Sequence, residues 1–253
     1  MNFQTKPKEA LFDGIMESLK GKIVFLAGAT GGIGSAAARL LHQSGARLHV
    51  CGRNTEKLER LGQQLGLSSQ QVHLFDMHEL ADVSAIARQI IEQEGRVDIF
   101  INALGMGILK PAEQLTLQQF QEVIQVNLVG AFALLQAFLP YMKKEGRGLV
   151  IHLPGVLGKV PMAGAAAYAA SRYGLMGMLQ SVREEVKRTN IRFTNVILGG
   201  VDTPFWDSID MRVQREKMIT AEDAARAIWF LCQQPESGVV SELVLQPFNH
   251  QAI

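Results

Sequence analysis

Residues 155–174 bring together two side chains that could move a proton. This segment reads GVLGKVPMAGAAAYAASRYG, in which Tyr168 precedes Arg172 by four positions. On a helix, that spacing places both side chains on one face, with about 5–6 Å between their Cβ atoms. A phenol beside a fixed cation is typical of a proton donor. No serine or threonine occurs between Gly146 and Ala170 to assist it, so the segment indicates either an altered acid–base site or the remains of one.

A second candidate site is rich in glycine. Gly28, Gly32 and Gly34 directly follow the apolar run of residues 22–27 and open a helical pattern. Glycine lets the backbone turn sharply and approach a pyrophosphate closely, and the N-terminus of the following helix supplies amide donors. A tight turn that binds nothing would use the same residues, but the strand–loop–helix context favours nucleotide binding.

The elements that must position these residues follow from the hydropathy pattern, because short apolar runs alternate with amphipathic helical patterns. The pattern predicts strands at residues 22–28, 46–52, 71–76, 97–105, 148–153, 191–200 and 240–248, and helices at 34–45, 54–66, 82–95, 116–146, 168–189 and 220–234. Asn54, Thr116 and Thr220 are suited to cap helix N-termini. This alternation predicts an α/β fold with a Rossmann-type, doubly wound parallel sheet in three layers. We expect one domain over residues 21–253, preceded by an extension over residues 1–20.

Composition and charge argue against several functional classes. The 253 residues are 47% hydrophobic and 19% charged, which suits a globular domain that folds without disulfides or metals. The net charge is +1 and no long basic run occurs, so neither nucleic acid nor a membrane surface is an expected partner. The histidines lack the spacing of metal ligands, and no metal site is predicted.

Cellular context is also expected from the sequence. Cys51 and Cys232 lie far apart in apolar surroundings, which favours reduced thiols and a cytoplasmic location. The first residues lack the apolar core of a signal peptide. The longest apolar stretch, from Leu128 to Pro140, is too short to span a bilayer and is interpreted as a buried helix.

The spacing from Gly28 through Gly32 and Ile33 to Gly34 resembles the loop of the short-chain dehydrogenase/reductase family, and the resemblance extends over residues 20–248. It implies a single Rossmann-type domain. By this resemblance, further cofactor-binding positions are Asp76 at the end of the third strand, Asn102 in NALG, and Val201 and Thr203 in LGGVDTPF, where Leu198 replaces the usual proline.

The same resemblance implies the catalytic set, which in the family is Asn, Ser, Tyr and Lys. Asn127 and Tyr168 match their positions, whereas Arg172 stands at the lysine and Gly155 at the serine. The tyrosine would give a proton to a substrate carbonyl as hydride arrives. An arginine keeps the positive charge, but its planar guanidinium cannot take the same position as an ammonium. Loss of one hydroxyl donor predicts a rate lower by about 10²–10³.

The end of the second predicted strand distinguishes between the two nicotinamide cofactors. An acidic residue there would bind the ribose 2′-hydroxyl and repel a 2′-phosphate. This chain has Gly52 followed by Arg53, and a guanidinium matches a phosphate well. A solvated surface arginine is the alternative. The sequence therefore favours NADP(H) over NAD(H), although Gly31 stands where many NADP-preferring relatives carry a second basic residue.

Two functions remain in competition. The first is an NADP(H)-dependent oxidoreductase acting on a carbonyl or secondary alcohol; the second is a non-catalytic nucleotide-binding sensor or assembly protein. An apolar substrate pocket is expected around Met106, Gly155, Met162 and Phe205 by the resemblance. His152 is a further possible donor, although a histidine near a strand end is more often a packing residue.

A homo-oligomer, either a tetramer or a dimer, is also expected. The predicted helices near residues 117–142 and 168–189 are apolar over much of their circumference. A helix that is apolar all round must be covered by more than its own sheet.

Overall fold

Strands and helices alternate along residues 18–77, 81–250 and 253, the residues described in this computed structural model. The strands are β1 Ile23–Ala27, β2 Arg47–Gly52, β3 Val72–Leu74, β4 Ile99–Asn102, β5 Arg147–His152, β6 Asn190–Leu198, β7 Val201–Asp202, β8 Ile219–Thr220 and β9 Glu242–Leu245. The α-helices are α1 Gly32–Gln43, α2 Thr55–Gln64, α3 Ala81–Glu94, α4 Leu117–Ile124, α5 Gly130–Glu145, α6 Ala166–Val186 and α7 Ala221–Cys232. All seven strands and six helical regions predicted from the sequence are present, with ends shifted by a few residues.

The main sheet has seven strands in the order β3-β2-β1-β4-β5-β6-β9, and every neighbouring pair is parallel. Because the order reverses direction between β1 and β4, the loops after these two strands part and leave a crevice at their carboxyl ends. The predicted doubly wound Rossmann-type sheet is confirmed. The short β7–β8 pair forms a separate two-stranded sheet that the sequence did not reveal.

The core lies on both faces of the main sheet. In β1, Val24 and Leu26 pack on one face beneath α1, α2 and α7, whereas Phe25 packs on the other face beneath α3, α5 and α6. The side chains of Phe25, Phe100 and Phe138 are in mutual contact on this second face. Two buried faces explain why the central strands are apolar without alternation.

The long apolar stretch is a core helix with a break in its pitch. Over Leu117–Glu145 the chain is long and apolar enough to cross a membrane by length and composition alone. Within the fold, Leu134, Leu135 and Phe138 of this stretch are buried against the sheet. Between α4 and α5, residues Gln125–Val129 form one turn of π-helix.

Caps and termini follow the sequence in most respects. The Asn54 and Thr220 side chains accept from the backbone N–H of Lys57 and Asp223, respectively, and Thr116 forms a capping box. The predicted N-terminal extension falls largely on residues 1–17, which lie outside the described residues.

Candidate active site

A cleft of about 820 Å³ opens at the carboxyl ends of the central strands. It brings together residues that are far apart in the chain, from the loop after β1 to the segment after β7. Ten of the sequence-predicted site residues line it, and they are Gly32, Ile33, Gly34, Gly155, Met162, Tyr168, Arg172, Val201, Thr203 and Phe205. The cleft therefore unites the predicted nucleotide loop with the predicted proton donor.

The glycine loop is shaped by close backbone approach. Gly28 has φ of +80°, a left-handed conformation that favours glycine. A Cβ at Gly34 would collide with the Gly28 carbonyl oxygen, so the turn and the first helical residues pack directly on each other. This geometry exposes backbone along the cleft wall at the start of α1, where an anionic group fits.

At the end of β2 the cleft lacks a carboxylate. A Cβ added at Gly52 would lie 2.9 Å from Thr30 Cγ2, so Thr30 occupies the space that an acidic side chain would need. Arg53 is exposed beside it, outside the cleft lining. Lys57, in the first turn of α2, does line the cleft, as Thr30 does. Lys57 is not among the site residues predicted from the sequence, although its position four residues after Arg53 was a usable signal. Asp76 is exposed and also lies outside the lining.

Asn127 sits in the π-helical turn and is almost completely buried. Its Oδ1 accepts from the Met106 N–H at 2.9 Å, and its Nδ2 donates to the Met106 carbonyl at 2.9 Å and to Ser171 Oγ at 3.0 Å. Both amide hydrogens are thus used, which leaves one lone pair on Oδ1. Asn127 consequently joins the turn to the loop after β4 and to α6, and it lies outside the cleft lining.

Ser171 is a buried polar residue that is not among the site residues predicted from the sequence. Its Oγ donates to the Tyr168 carbonyl at 2.7 Å while it accepts from Asn127. It lies one residue before Arg172, on the buried side of α6. Ser171 therefore links the π-helical turn to the helix that carries Tyr168. This link is visible only in the tertiary structure.

Tyr168 and Arg172 do share one face of α6, as their spacing predicts. The guanidinium carbon of Arg172 lies 4.8 Å from the centroid of the Tyr168 ring. The Arg172 side chain is buried, and its Nη1 donates to the Leu153 carbonyl at 3.4 Å. Its Nε–H has no hydrogen-bond partner among the described residues. The cation therefore stacks on the phenol ring, and within the described chain it forms no ion pair with a carboxylate.

Gly155 has a backbone that other residues avoid. Its φ of +71° and ψ of +173° fall in a region that is almost exclusive to glycine. A Cβ there would meet only the Leu198 carbonyl oxygen, at 3.5 Å, which is ordinary contact. The restriction at this position is therefore conformational rather than one of space.

His152 and Asn102 are joined beneath the cleft floor. Asn102 Oδ1 accepts from the Leu104 N–H, so its Nδ2 faces His152 Nδ1 at 3.2 Å and donates to it. The proton of the neutral ring is then on Nε2, which has no partner among the described residues. Burial, together with the nearby charge of Arg172, lowers the pKa of His152 to about 3. His152 is thus a packed neutral residue, and Asn102 is occupied by it rather than facing the cleft.

The wall around Tyr168 is apolar. A small hydrophobic cluster there includes Leu109, Met162, Phe205 and Trp206, and the Phe205 ring centroid lies 5.7 Å from that of Tyr168. Met106, predicted for this wall, is half-buried and packs against the hydrophobic cluster that contains Phe25. It does not line the cleft.

No group of three or more His, Cys, Asp or Glu side chains suited to a metal ion occurs within the described part of the chain.

Comparison with known proteins gives consistent matches. The family model of short chain dehydrogenases matches residues 22–214. An uncharacterized oxidoreductase of Staphylococcus epidermidis is 31% identical over 232 residues, covering 92% of this chain and 100% of that protein. An alcohol dehydrogenase from the archaeon Thermococcus sibiricus, complexed with 5-hydroxy-NADP, is 27% identical with a TM-score of 0.80, over 92% of this chain and 99% of that chain. A metagenomic short-chain oxidoreductase in complex with NADP is 30% identical with a TM-score of 0.78, over 91% of this chain and 99% of that chain.

Proposed function

The chain belongs to the short chain dehydrogenase family, and on that premise we propose that it is an NADP(H)-dependent oxidoreductase with a modified catalytic site. Its reaction is hydride transfer between nicotinamide and a carbonyl or secondary alcohol. The observation that carries this proposal is that the glycine loop and Tyr168 line one and the same cleft. Structural relatives in complex with NADP or a hydroxylated NADP support the choice of cofactor.

The residues at the cofactor end fit a phosphorylated ribose. Gly52 places no carboxylate at the end of β2, and Lys57 adds a cation to the cleft near the exposed Arg53. Two cations at this strand end, where Gly52 stands in place of an acidic residue, favour a 2′-phosphate over a free hydroxyl. The glycine loop would bind the pyrophosphate, while Ile33, Val201 and Thr203 would pack along the nucleotide. Asp76 is a candidate for the adenine side of the site.

At the catalytic end, NADPH when bound supplies the hydride, and the chain supplies the proton. Tyr168 would donate its phenolic proton to the oxygen of the substrate carbonyl. Arg172 holds a positive charge over the phenol ring, with its guanidinium carbon 4.8 Å from the ring centroid. Asn127 would act through structure, because its amide fixes the loop after β4 against α6.

The proposed substrate is apolar. Met162, Phe205 and Trp206 belong to the same hydrophobic cluster as Tyr168, and the charge of Arg172 lies against the Tyr168 ring. Gly155 contributes backbone but no hydroxyl, so a substrate oxygen has one side-chain donor fewer than the family pattern offers. For that reason, we expect the protein to reduce small ketones about 10²–10³ times more slowly than a site with the complete family pattern would.

A second function is favoured by the backbone at Gly155. Because a serine would be strained there, the loss of the hydroxyl is built into the conformation of this loop. A non-catalytic NADP(H)-binding protein, acting as a sensor or in an assembly, accommodates that feature without requiring turnover.

Self-association is part of the proposal. Phe132 on α5 and Tyr173 on α6 are exposed large side chains on the two helices whose apolar circumference predicts a homo-oligomer. We expect a tetramer or dimer in the cytoplasm, with residues 21–253 acting as one domain. Light scattering that gives about 28 kDa would contradict the oligomer, since one chain has a mass of 27.8 kDa.

Stopped-flow absorbance tests the central proposal. NADPH oxidation at 340 nm is followed with a panel of bulky apolar ketones, quinones and ketoacyl thioesters, and NADPH and NADH affinities are measured by fluorescence titration. Tighter NADPH binding with turnover of any apolar carbonyl supports the oxidoreductase. Tight NADPH binding without turnover across the panel favours the sensor, and absence of NADPH binding contradicts both.

A further inference from the structure

One arginine outside the predicted site joins two parts of the cleft wall. Residues 203–218, which we call the flap, leave the sheet after β7 and return at β8. The pairing of Val201 with Ile219 and of Asp202 with Thr220 brings the two ends of the flap together. The flap thus leaves and rejoins this strand pair at nearly the same point, which we call its base. Its shape depends on the contacts that link its two limbs, the residues that follow β7 and the residues that precede β8.

Arg215 makes that link with three of its donors. Its Nε donates to Asp202 Oδ1 at 2.6 Å, its Nη1 to Asp207 Oδ1 at 2.7 Å and its Nη2 to the Thr203 carbonyl at 3.1 Å. Asp202 belongs to the base of the flap, whereas Asp207 lies in the short helical turn Pro204–Ser208. All three acceptors belong to β7 and the limb that follows it, whereas Arg215 belongs to the limb that precedes β8. A planar guanidinium can satisfy three such acceptors at once, which an ammonium cannot do directionally.

The limb held in this way reaches both ends of the cleft. The Thr203 side chain packs where a Cβ of Gly32 would lie, at the nucleotide loop. Two residues later, the Phe205 ring contacts Tyr168, and Trp206 donates its Nε1–H to the Val201 carbonyl at 2.9 Å. The position of one short segment therefore sets the wall at the cofactor and at the proton donor together.

We propose that Arg215 is a positioning residue that holds the flap against the cleft, so that cofactor and apolar substrate meet an ordered wall. The ligand part of this inference rests on the proposed function; the structural part does not. Each exposed ion pair alone contributes little. The effect arises because three hydrogen bonds from one side chain hold the two limbs of the flap together, and removing that side chain breaks all three at once.

The structural part is tested in the ligand-free protein with Trp206 as reporter. Trp229→Phe removes the other tryptophan, and acrylamide quenching of Trp206 is then compared with and without Arg215→Ala. We expect the quenching constant to rise by about twofold or more, because local order at the limb is lost. Arg226→Ala, which breaks the Arg226–Asp223 pair on α7 outside the cleft, is the matched control and should change nothing. Unchanged quenching in Arg215→Ala overturns the inference.

The ligand part uses the same variants. Arg215→Ala should raise the NADPH Kd and the ketone KM by about tenfold, while kcat falls much less and Tm stays close to that of the Arg226→Ala control. Arg215→Lys should restore the Kd and KM only partly. In a protein that already carries Asp207→Asn, Arg215→Ala should change the Kd and KM less than it does in the unaltered protein. If quenching rises but Kd and KM stay unchanged, the positioning role is refuted. If the unaltered protein binds no NADPH, the proposed function fails, and the quenching result still decides whether Arg215 holds the flap.

Discussion

The two ends of the cleft are built in different ways. At the cofactor end, the loop after β1 presents backbone and small residues, and the cations Arg53 and Lys57 stand near it. At the catalytic end, Asn127 and Ser171 are buried and bonded to one another, and Arg172 is stacked on Tyr168. The cofactor end consists mainly of backbone and small residues, whereas the catalytic end is a packed network of side chains.

This difference bears on which departures from a family pattern matter. A site made of backbone depends on conformation, which glycine positions fix, so it persists as long as the turn persists. A site made of buried side chains depends on each partner of each residue, because an unpaired buried group costs about 1–3 kcal/mol. The proposed departures at Gly155 and Arg172 both fall at the catalytic end, where we expect their effects to be largest.

The largest expected effect comes from the phenol. Tyr168→Phe should lower kcat/KM by about 10²–10⁴, the usual contribution of a general acid, while the NADPH Kd changes little. Stopped-flow reduction and fluorescence titration measure the two quantities. Tyr141→Phe, at a half-buried tyrosine on α5, is the control. Equal turnover in Tyr168→Phe and the unaltered protein would show that the catalytic end is only a helix face, and the sensor function would then be preferred.

At the cofactor end, the arginine beside Gly52 gives the next effect. Arg53→Ala should weaken NADPH binding by about 1.5–3 kcal/mol, the scale of a charge-assisted hydrogen bond, with little change for NADH. Titration of both cofactors at one fixed salt concentration measures the difference. Lys57→Ala is a second variant that should act in the same direction, since Lys57 lines the cleft. Equal losses of affinity for NADPH and NADH would show that these side chains do not recognise the 2′-phosphate.

A third test separates backbone from hydroxyl at Gly155. The sequence suggests that Gly155→Ser restores a donor, but the backbone there should make the variant less stable by about 1–3 kcal/mol. Urea unfolding measures this loss, and Gly155→Ala should show the same loss because it shares the strain. A serine variant that reduces ketones faster than the alanine variant would show that the hydroxyl acts despite the strain. Equal stability of the serine variant and the unaltered protein would refute the conformational account.

The smallest expected effect is on stability at acid pH, through a histidine pair on β2 and β3 at the cofactor end. His49 on β2 bonds to His73 on β3 at 3.1 Å and to Glu94 at 3.1 Å, and Arg47 pairs with the same carboxylate. Burial, with the neighbouring His49, lowers the pKa of His73 to about 4. The unfolded chain therefore binds more protons below pH 6.5, so stability is full above that pH and is lost as the pH falls toward 4.

Replacing one member of this pair should flatten the acid response. Between pH 7 and pH 5, His73→Gln should lose about 1–2 kcal/mol less stability than the unaltered protein, as measured by urea unfolding at each pH. His42→Gln, at a half-buried histidine on α1, is the control. An identical pH response in His73→Gln and the unaltered protein would show that the pair is not protonated on unfolding.

Most of the fold was predictable from the sequence. The β-branched runs and the caps at Asn54, Thr116 and Thr220 are local signals, and the structure has strands and helices where they predict them. The β7–β8 pair was missed because two-residue strands leave no periodicity to detect. Ten of the predicted site residues line the cleft because the carboxyl ends of parallel strands meet at one edge.

The catalytic end was predictable only in part. The shared helix face of Tyr168 and Arg172 follows from spacing, but stacking of the cation on the ring depends on the Leu153 carbonyl and the buried end of α6. Ser171 gave no signal, since its partners lie in elements distant in sequence. The strained backbone of Gly155 is likewise a property of the assembled loop.

The π-helical turn at Gln125–Val129 fixes the rotational phase of a long helix. It contains one residue more per turn than an α-helix, so the helical segments before and after it are not in phase. Deleting one residue there would rotate everything downstream by about 100°, which would swing the buried stripe of Leu134 and Phe138 away from the sheet. The inserted residue lets Leu117–Ile124 and Gly130–Glu145 each keep their own buried stripe while Asn127 turns toward the loop after β4. Single-residue insertions and deletions in this helix should therefore be far less tolerated than substitutions of its exposed side chains.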